Sequence, residues 1–140
     1  MQTERALRLI AAGRRLAAER DMVATIAVSD AAGHPVALAR GRSWHGPYMA
    51  MGKARLAAAF RKPTAELIER WKERPLFPQS LVSVLPGEIT LNPGGYPLFE
   101  GEEFVGAVGV GGGNPTADHE LSAAIAAAYA DLVATEEAET

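Results

Sequence analysis

Cysteine is absent from the 140 residues, which excludes disulfides, zinc–thiolate sites, iron–sulfur clusters and a cysteine nucleophile from within this chain. Positive charge is not in excess. Lys and Arg number 14 against 17 Asp and Glu, for a formal net charge of −3, and the basic residues are scattered rather than striped, so no electrostatic footprint for nucleic acid exists. No run approaches the ~18 apolar residues of a membrane span. The N-terminal MQTERALRLIAAGRR is amphipathic, unlike a charged stub followed by an apolar core, so the sequence reads as a soluble cytoplasmic protein without a membrane partner. Known catalytic signatures are missing too. No Gly-Lys-Ser/Thr completes a Walker loop, no Gly-x-Ser-x-Gly elbow is present, and no two histidines share helical i, i+4 spacing with a carboxylate cluster, so no metal site is expected. Gly109-Val110-Gly111 partly imitates a dinucleotide fingerprint, but the third glycine is off register and too little chain follows to complete a βαβ unit.

What the chain does have is enough apolar residue content, 48 %, to build one core at this length. Thr3 to Arg20 places Ala6, Leu9, Ile10, Gly13, Leu16 and Ala17 on one helical face. From Met22 to Ser29 the period changes to that of a strand apolar on both faces, and Asp30 to Pro35 supplies turn chemistry before a second strand, Val36 to Arg40. Pro47 suits the first turn of a helix ending near Phe60 or Arg61. Pro63 restarts a helix through Trp71, Gln79 to Leu85 is short helix or irregular chain, and Glu88 to Leu91 is expected as a third strand.

Leu91 to Asp118, LNPGGYPLFEGEEFVGAVGVGGGNPTAD, is the stretch around which the rest is organised. Gly94-Gly95-Tyr96-Pro97 is expected as a bent, backbone-exposed loop. A β-hairpin follows, from Leu98-Phe99 through a turn at Glu100-Gly101-Glu102 to Phe104–Val110. Gly111 to Pro115 breaks the strand, and Thr116 or Asp118 is expected to cap a last helix bearing Leu121, Ile125, Ala128 and Leu132. Residues 1–134 then form one domain, with a frayed acidic tail over 135–140. The fold class is α+β, with about five antiparallel strands and the terminal helices packed against them.

A glycine turn leading into a helix N-terminus can present backbone amides to a carboxylate or phosphate. Within the helix after Pro47, Lys53 falls in the apolar stripe of Met49, Gly52, Leu56, Ala59 and Phe60. Either its methylenes pack while the ammonium escapes to water, or the ammonium faces a ligand cleft and neutralises an anion or serves as a base. Among the histidines, His34 lies in a hairpin turn and is expected to be solvated. His119 neighbours a capping position, and His45, in a Gly-bounded loop beside Trp44, is the better candidate for chemistry.

These residues resemble the GlcG/HbpS family, the haem-binding or so-called haem-degrading domain also found at the C-terminus of PduO-type adenosyltransferases. The resemblance rests on the Ala-rich first helix, IAVSDAAGHPVALAR (26–40), GKARLAAAF (52–60), PGEITLNPGGYPLFEGEEFVGAVGVGGG (86–113) and Asp118. It implies a profilin-like three-layer sandwich, assembly into homo-oligomers, and haem or another small organic ligand. The family motif carries over to Lys53, Gly94, Gly95, Pro97, Gly111 and Asp118. Two departures stand out: after Arg40 the chain reads GRSWHGPY where an acidic residue is expected, and Gly111-Gly112 replaces a Ser-Gly pair.

Two functions fit. One is a binding module in which the loop Gly94-Gly95-Tyr96-Pro97, the Gly111-Gly112-Gly113 turn and Trp44 enclose haem or another small anionic or planar ligand, with Lys53 compensating charge. The other is a cofactor-independent isomerase, lyase or hydrolase acting on a small carboxylate, with His45 or Lys53 as base and Asp118 orienting it. Ala-rich first and last helices, with Gly13 in the first, suit packing either between subunits or within one.

Overall fold

The computed structural model describes residues 1–139. Its elements run α1 (Thr3–Glu19), β1 (Thr25–Asp30), β2 (Pro35–Ala39), α2 (Gly46–Phe60), α3 (Thr64–Trp71), α4 (Leu76–Val84), β3 (Gly95–Glu100), β4 (Glu103–Gly111) and α5 (Pro115–Ala138). The strands form one antiparallel sheet in the order β2-β1-β4-β3. The α+β class is as expected, with four strands rather than five.

The missing strand is Glu88–Leu91. Its alternation is strand-like, but Ile89 and Leu91 pack instead on the cluster of Leu56, Leu67 and Trp71, beyond the sheet. Conversely, the stretch expected as an exposed loop at Gly94–Pro97 is largely strand. Gly94 makes the bend with φ 124°, and Gly95 already pairs with Gly109. Pro97 is tolerated because β3 is an edge strand, where a missing N–H need not break a central ladder.

Strand periodicity divides the core into two faces. Ile26, Val28, Leu98, Val108 and Val110 pack with Leu9, Ile10, Leu121, Ile125 and Tyr129 of α1 and α5. On the opposite face Ala107 meets Ala54, Ala57 and Ala58 of α2. Helices thus cover the sheet on both sides. Gly13 serves the inside of the subunit: a Cβ there would lie 2.9 Å from Ile26 Cδ1 and 3.0 Å from Ile125 Cδ1, so α1 approaches the sheet and α5 only because that position is bare.

The β1–β2 turn forms through Asp30, whose Oδ1 accepts from the amides of Ala32 (3.0 Å) and His34 (2.9 Å). The N-cap of α5 is Asn114, one turn before the expected Asp118 and two residues before Thr116; its side chain accepts from Ala117 N at 2.8 Å, and Pro115 follows at the first helical position. The helix continues through Ala138, into the segment expected to fray. Glu136 holds it there, accepting from Arg5 Nε (2.8 Å) and Arg8 Nε (2.9 Å). Arg5 also pairs with Glu100, which accepts from Tyr129 Oη at 3.1 Å, so one network ties α1, α5 and the β3–β4 hairpin. Hydrogen bonding from Arg5 holds the Glu136 carboxyl below its ordinary value, and burial pushes the Tyr129 phenol up to about 12.

Candidate functional site

The site begins with glycines that let α2 sit unusually close to the sheet. A Cβ on Gly109 would overlap the Ala50 carbonyl oxygen and approach Ala54 N to 2.8 Å; one on Gly95 would overlap the Lys53 carbonyl oxygen. Gly111 faces Gly46 O at 3.0 Å and Ala50 N at 3.3 Å in the same test. These glycines form the seat of a helix, backbone against backbone, rather than a ligand cradle.

Seated so closely, α2 delivers Lys53 into the molecule. Its side chain is 4 % exposed, and Nζ donates to Val110 O at 2.8 Å and to Asp118 Oδ2 at 3.0 Å. The ammonium therefore turns inward, and the outward, snorkelling geometry is not adopted. The partner carboxylate is equally buried, and its other oxygen, Oδ1, accepts from Gly113 N at 2.9 Å. Gly94 closes the back of the pair: a Cβ there would stand 3.1 Å from Lys53 Cδ and 3.0 Å from Asp118 Cβ.

The pair lies on the wall of a cavity of about 100 Å³, shared with His45, Met49, Asn92, Pro93, Gly112, Gly113 and Pro115. His45 is the N-cap residue of α2 but makes no side-chain cap bond, which leaves its imidazole at the cavity mouth. The expected cluster is thus only partly assembled. Lys53, Asp118, His45 and Gly112 share the cavity, with Gly94 directly behind. Trp44 does not line it: this ring is 81 % exposed and stacks beside Tyr48, with centroids 5.4 Å apart. Tyr96 faces His119 at 6.2 Å, and Pro97 sits inside β3 opposite Ala107.

The anion-binding helix end also differs from expectation, because its amides are largely engaged by the protein itself. Ala117 N serves the Asn114 cap, Asp118 N donates to Asn114 O at 2.9 Å and Gly113 N serves Asp118; in the neighbouring glycine loop, Gly95 N donates to Thr64 Oγ1 at 3.0 Å. Thr64, fully buried, also donates to Asn92 O at 2.8 Å and so fixes the cavity rim. Neither Thr64 nor Asn92 carried a sequence signal beyond helix-start and turn chemistry. Among the described residues no three of His, Asp and Glu gather as a metal cluster.

Chemically, this arrangement is an ion pair with capacity left over. A lysine ammonium has three donors, and the protein takes two. The sequence matches the family described as haem degrading protein HbpS-like over residues 1–127. The chain belongs to that family. Solved structures similar to this HbpS-like chain include Klebsiella pneumoniae protein ORFY, at 23 % identity, covering 92 % of this chain and 90 % of that one with a TM-score of 0.81. A double mutant of Streptomyces reticuli HbpS is 26 % identical over 91 % of this chain and 86 % of its own, with a TM-score of 0.79. PduOC, solved as a heme complex, is 24 % identical over 91 % and 94 %, with a TM-score of 0.79. No curated protein sequence matches the chain.

His45 and Met49 are of types that ligate haem iron, but the cavity they line does not admit the group. At about 100 Å³ it falls well below the ~300–1,000 Å³ of pockets that enclose drug-sized molecules. At that volume the Lys53–Asp118 cavity is too small to enclose a porphyrin.

Proposed function

We propose that this HbpS-like chain is a small-molecule-binding domain whose ligand is a compact carboxylate metabolite held in the Lys53–Asp118 cavity. The observation that carries the reading is the buried ammonium with one N–H uncommitted to protein on the wall of a concave site. A carboxylate oxygen would accept that N–H, while Asp118 keeps the charge neutral in the empty state; His45 and Asn92 at the mouth would bind the ligand's remaining oxygens. A charge-assisted bond of this kind is roughly twice as strong as a neutral one. Haem has no place inside this cavity, and the family's association with it does not decide the ligand here.

A second reading is favoured by the same wall. Lysine, aspartate and histidine share one small cavity, which is also the equipment for moving a proton on a bound carboxylate, as a cofactor-independent isomerase, lyase or hydrolase would.

Acetate and lactate titrations, followed calorimetrically, test the binding reading. Saturable binding that is lost in His45→Ala, a variant at the exposed mouth, is the expected result. No saturable binding, or binding indifferent to His45, would overturn it. Incubation of the complex in D2O separates the two functions: deuterium entering the ligand at carbon marks proton transfer.

A further inference from the structure

A larger concavity, of about 480 Å³, lies across the Gly112-Gly113 turn from the Lys53 cavity; these two glycines line both. It is formed by the end of α1 and the chain after it (Arg20 to Ala24), the loop residues Arg42 and Ser43, and the start of α5. Its volume lies within the range of small-molecule pockets, roughly 300–1,000 Å³. Four charged side chains line it: Arg20, Arg42, Asp21 and Glu120. One has an ordinary explanation: Arg20 closes α1, with Nη1 donating to Leu16 O at 3.0 Å. Glu120 is the sixth residue of α5, beyond its first turn.

Arg42 and Asp21 have no such role. Neither side chain makes a hydrogen bond or ion pair with another described residue, although they bear opposite charges and line one concavity. The two do not join, so the concavity presents a cation and an anion that each have bonding capacity open. Between them, Met22 and Val23 supply apolar surface, and Val23 is 53 % exposed. Burying such a side chain beneath a ligand would remove apolar area from water at ~25 cal/mol per Å².

We propose that this concavity binds a zwitterionic small molecule of the α-amino acid class, its carboxylate on Arg42, its ammonium on Asp21 and its apolar side chain over Val23. The two charges act together: a ligand with only one of them leaves one protein group unmatched. The site is distinct from the Lys53 cavity, from which the Gly112-Gly113 turn divides it.

The test uses the full chain and three probes of similar shape: L-leucine, L-leucinamide, which lacks the anion, and 4-methylpentanoate, which lacks the cation. Binding is followed by backbone amide NMR. Leucine is expected to shift the amides of Asp21, Val23, Arg42 and Ser43, which line this concavity alone, and to bind about 10-fold tighter than either analogue, as loss of one charge-assisted contact implies. Arg42→Gln should bring leucine down to the level of leucinamide, and Asp21→Asn down to that of 4-methylpentanoate. Both variants should fold. Arg42 is exposed, and Asn accepts the left-handed backbone that Asp21 adopts at φ 55°. Absence of leucine binding, equal binding of all three probes, or affinity unchanged in both variants would overturn the proposal. Shifts confined to the residues around Lys53 would do so as well.

Discussion

Replacing Lys53 by Met removes the charge while keeping most of the length of the side chain, and it leaves Asp118 as a carboxylate 4 % exposed, with Gly113 N as its remaining partner. Removing one partner of a buried ion pair costs ~3–5 kcal/mol, because the survivor has lost both water and its counter-charge. For a chain of this size each kcal/mol shifts the unfolding midpoint by about 3–4 °C, so Tm should fall by roughly 10–20 °C. Asp118→Asn in the wild-type background strands the ammonium instead and should cost ~2–4 kcal/mol by the same reasoning. The double variant, Lys53→Met with Asp118→Asn, removes both charges but keeps an amide oxygen for Gly113 N. It should be more stable than Lys53→Met alone, with a coupling energy of at least ~2 kcal/mol. Urea unfolding of the four proteins, with unchanged denaturant slopes, gives the cycle. Additivity within ~0.5 kcal/mol would refute the reasoning, since it would mean the two groups do not meet in a dry environment.

Three further outcomes follow from other parts of the molecule. Gly109→Ala should lower stability by about 3 kcal/mol or more, since its Cβ would meet the Ala50 backbone of α2; thermal unfolding checks it. Asn114→Ala should cost ~1 kcal/mol by uncapping α5, measured in the same way. The pH profile of stability should fall at both ends. The Glu136 carboxyl is lowered from 4.5, so its contribution is full above that value and is lost as pH falls through the folded-state value; in Glu136→Gln that acid-limb contribution should be absent. The Tyr129 phenol is raised from 10.0 to about 12, so its contribution is full below pH 10 and is lost as pH rises towards 12. That alkaline loss amounts to about 2–3 kcal/mol, and urea unfolding should find it reduced in Tyr129→Phe.

Much of the scaffold was legible because local chemistry and burial agree. The α1 face from Ala6 to Ala17, the Asp30–Pro35 turn and the start of α2 near Pro47 all follow from period, turn residues and proline. Family membership was legible in the run 86–113. Glu88–Leu91 misled because a short alternating apolar segment can bury its side chains without joining a sheet. Gly94–Pro97 misled in the other direction: glycine and proline oppose a central strand, yet β3 lies at an edge, and Gly95 is bare because the α2 backbone leaves no room for a side chain. The sequence does not single out Asn114 as the cap, because Thr116 and Asp118, also capping residues, lie just beyond it.

Lys53 stands out in the sequence as a cation in an apolar stripe, and the glycines at Gly94 and Gly112 lie beside it in the structure. The pairing with Asp118, 65 positions further along the chain, depends on long-range folding that no local pattern encodes. The same holds for Thr64, whose hydroxyl secures the rim through Gly95 and Asn92. Trp44 is a candidate from sequence because it shares the Gly-bounded loop with His45, but the α2 start that turns His45 toward the cavity leaves Trp44 against Tyr48 in solvent.

The most direct measurement is a ¹⁵N NMR spectrum of the lysine ammonium groups during titration with lactate. An inward Lys53 ammonium, bonded to Val110 O and Asp118, should exchange slowly enough with water to give its own signal, and that signal should move saturably as lactate takes the third N–H. If no lysine ammonium is protected, or if the Lys53 signal stays fixed while lactate saturates the protein, the ammonium is not the ligand-holding group.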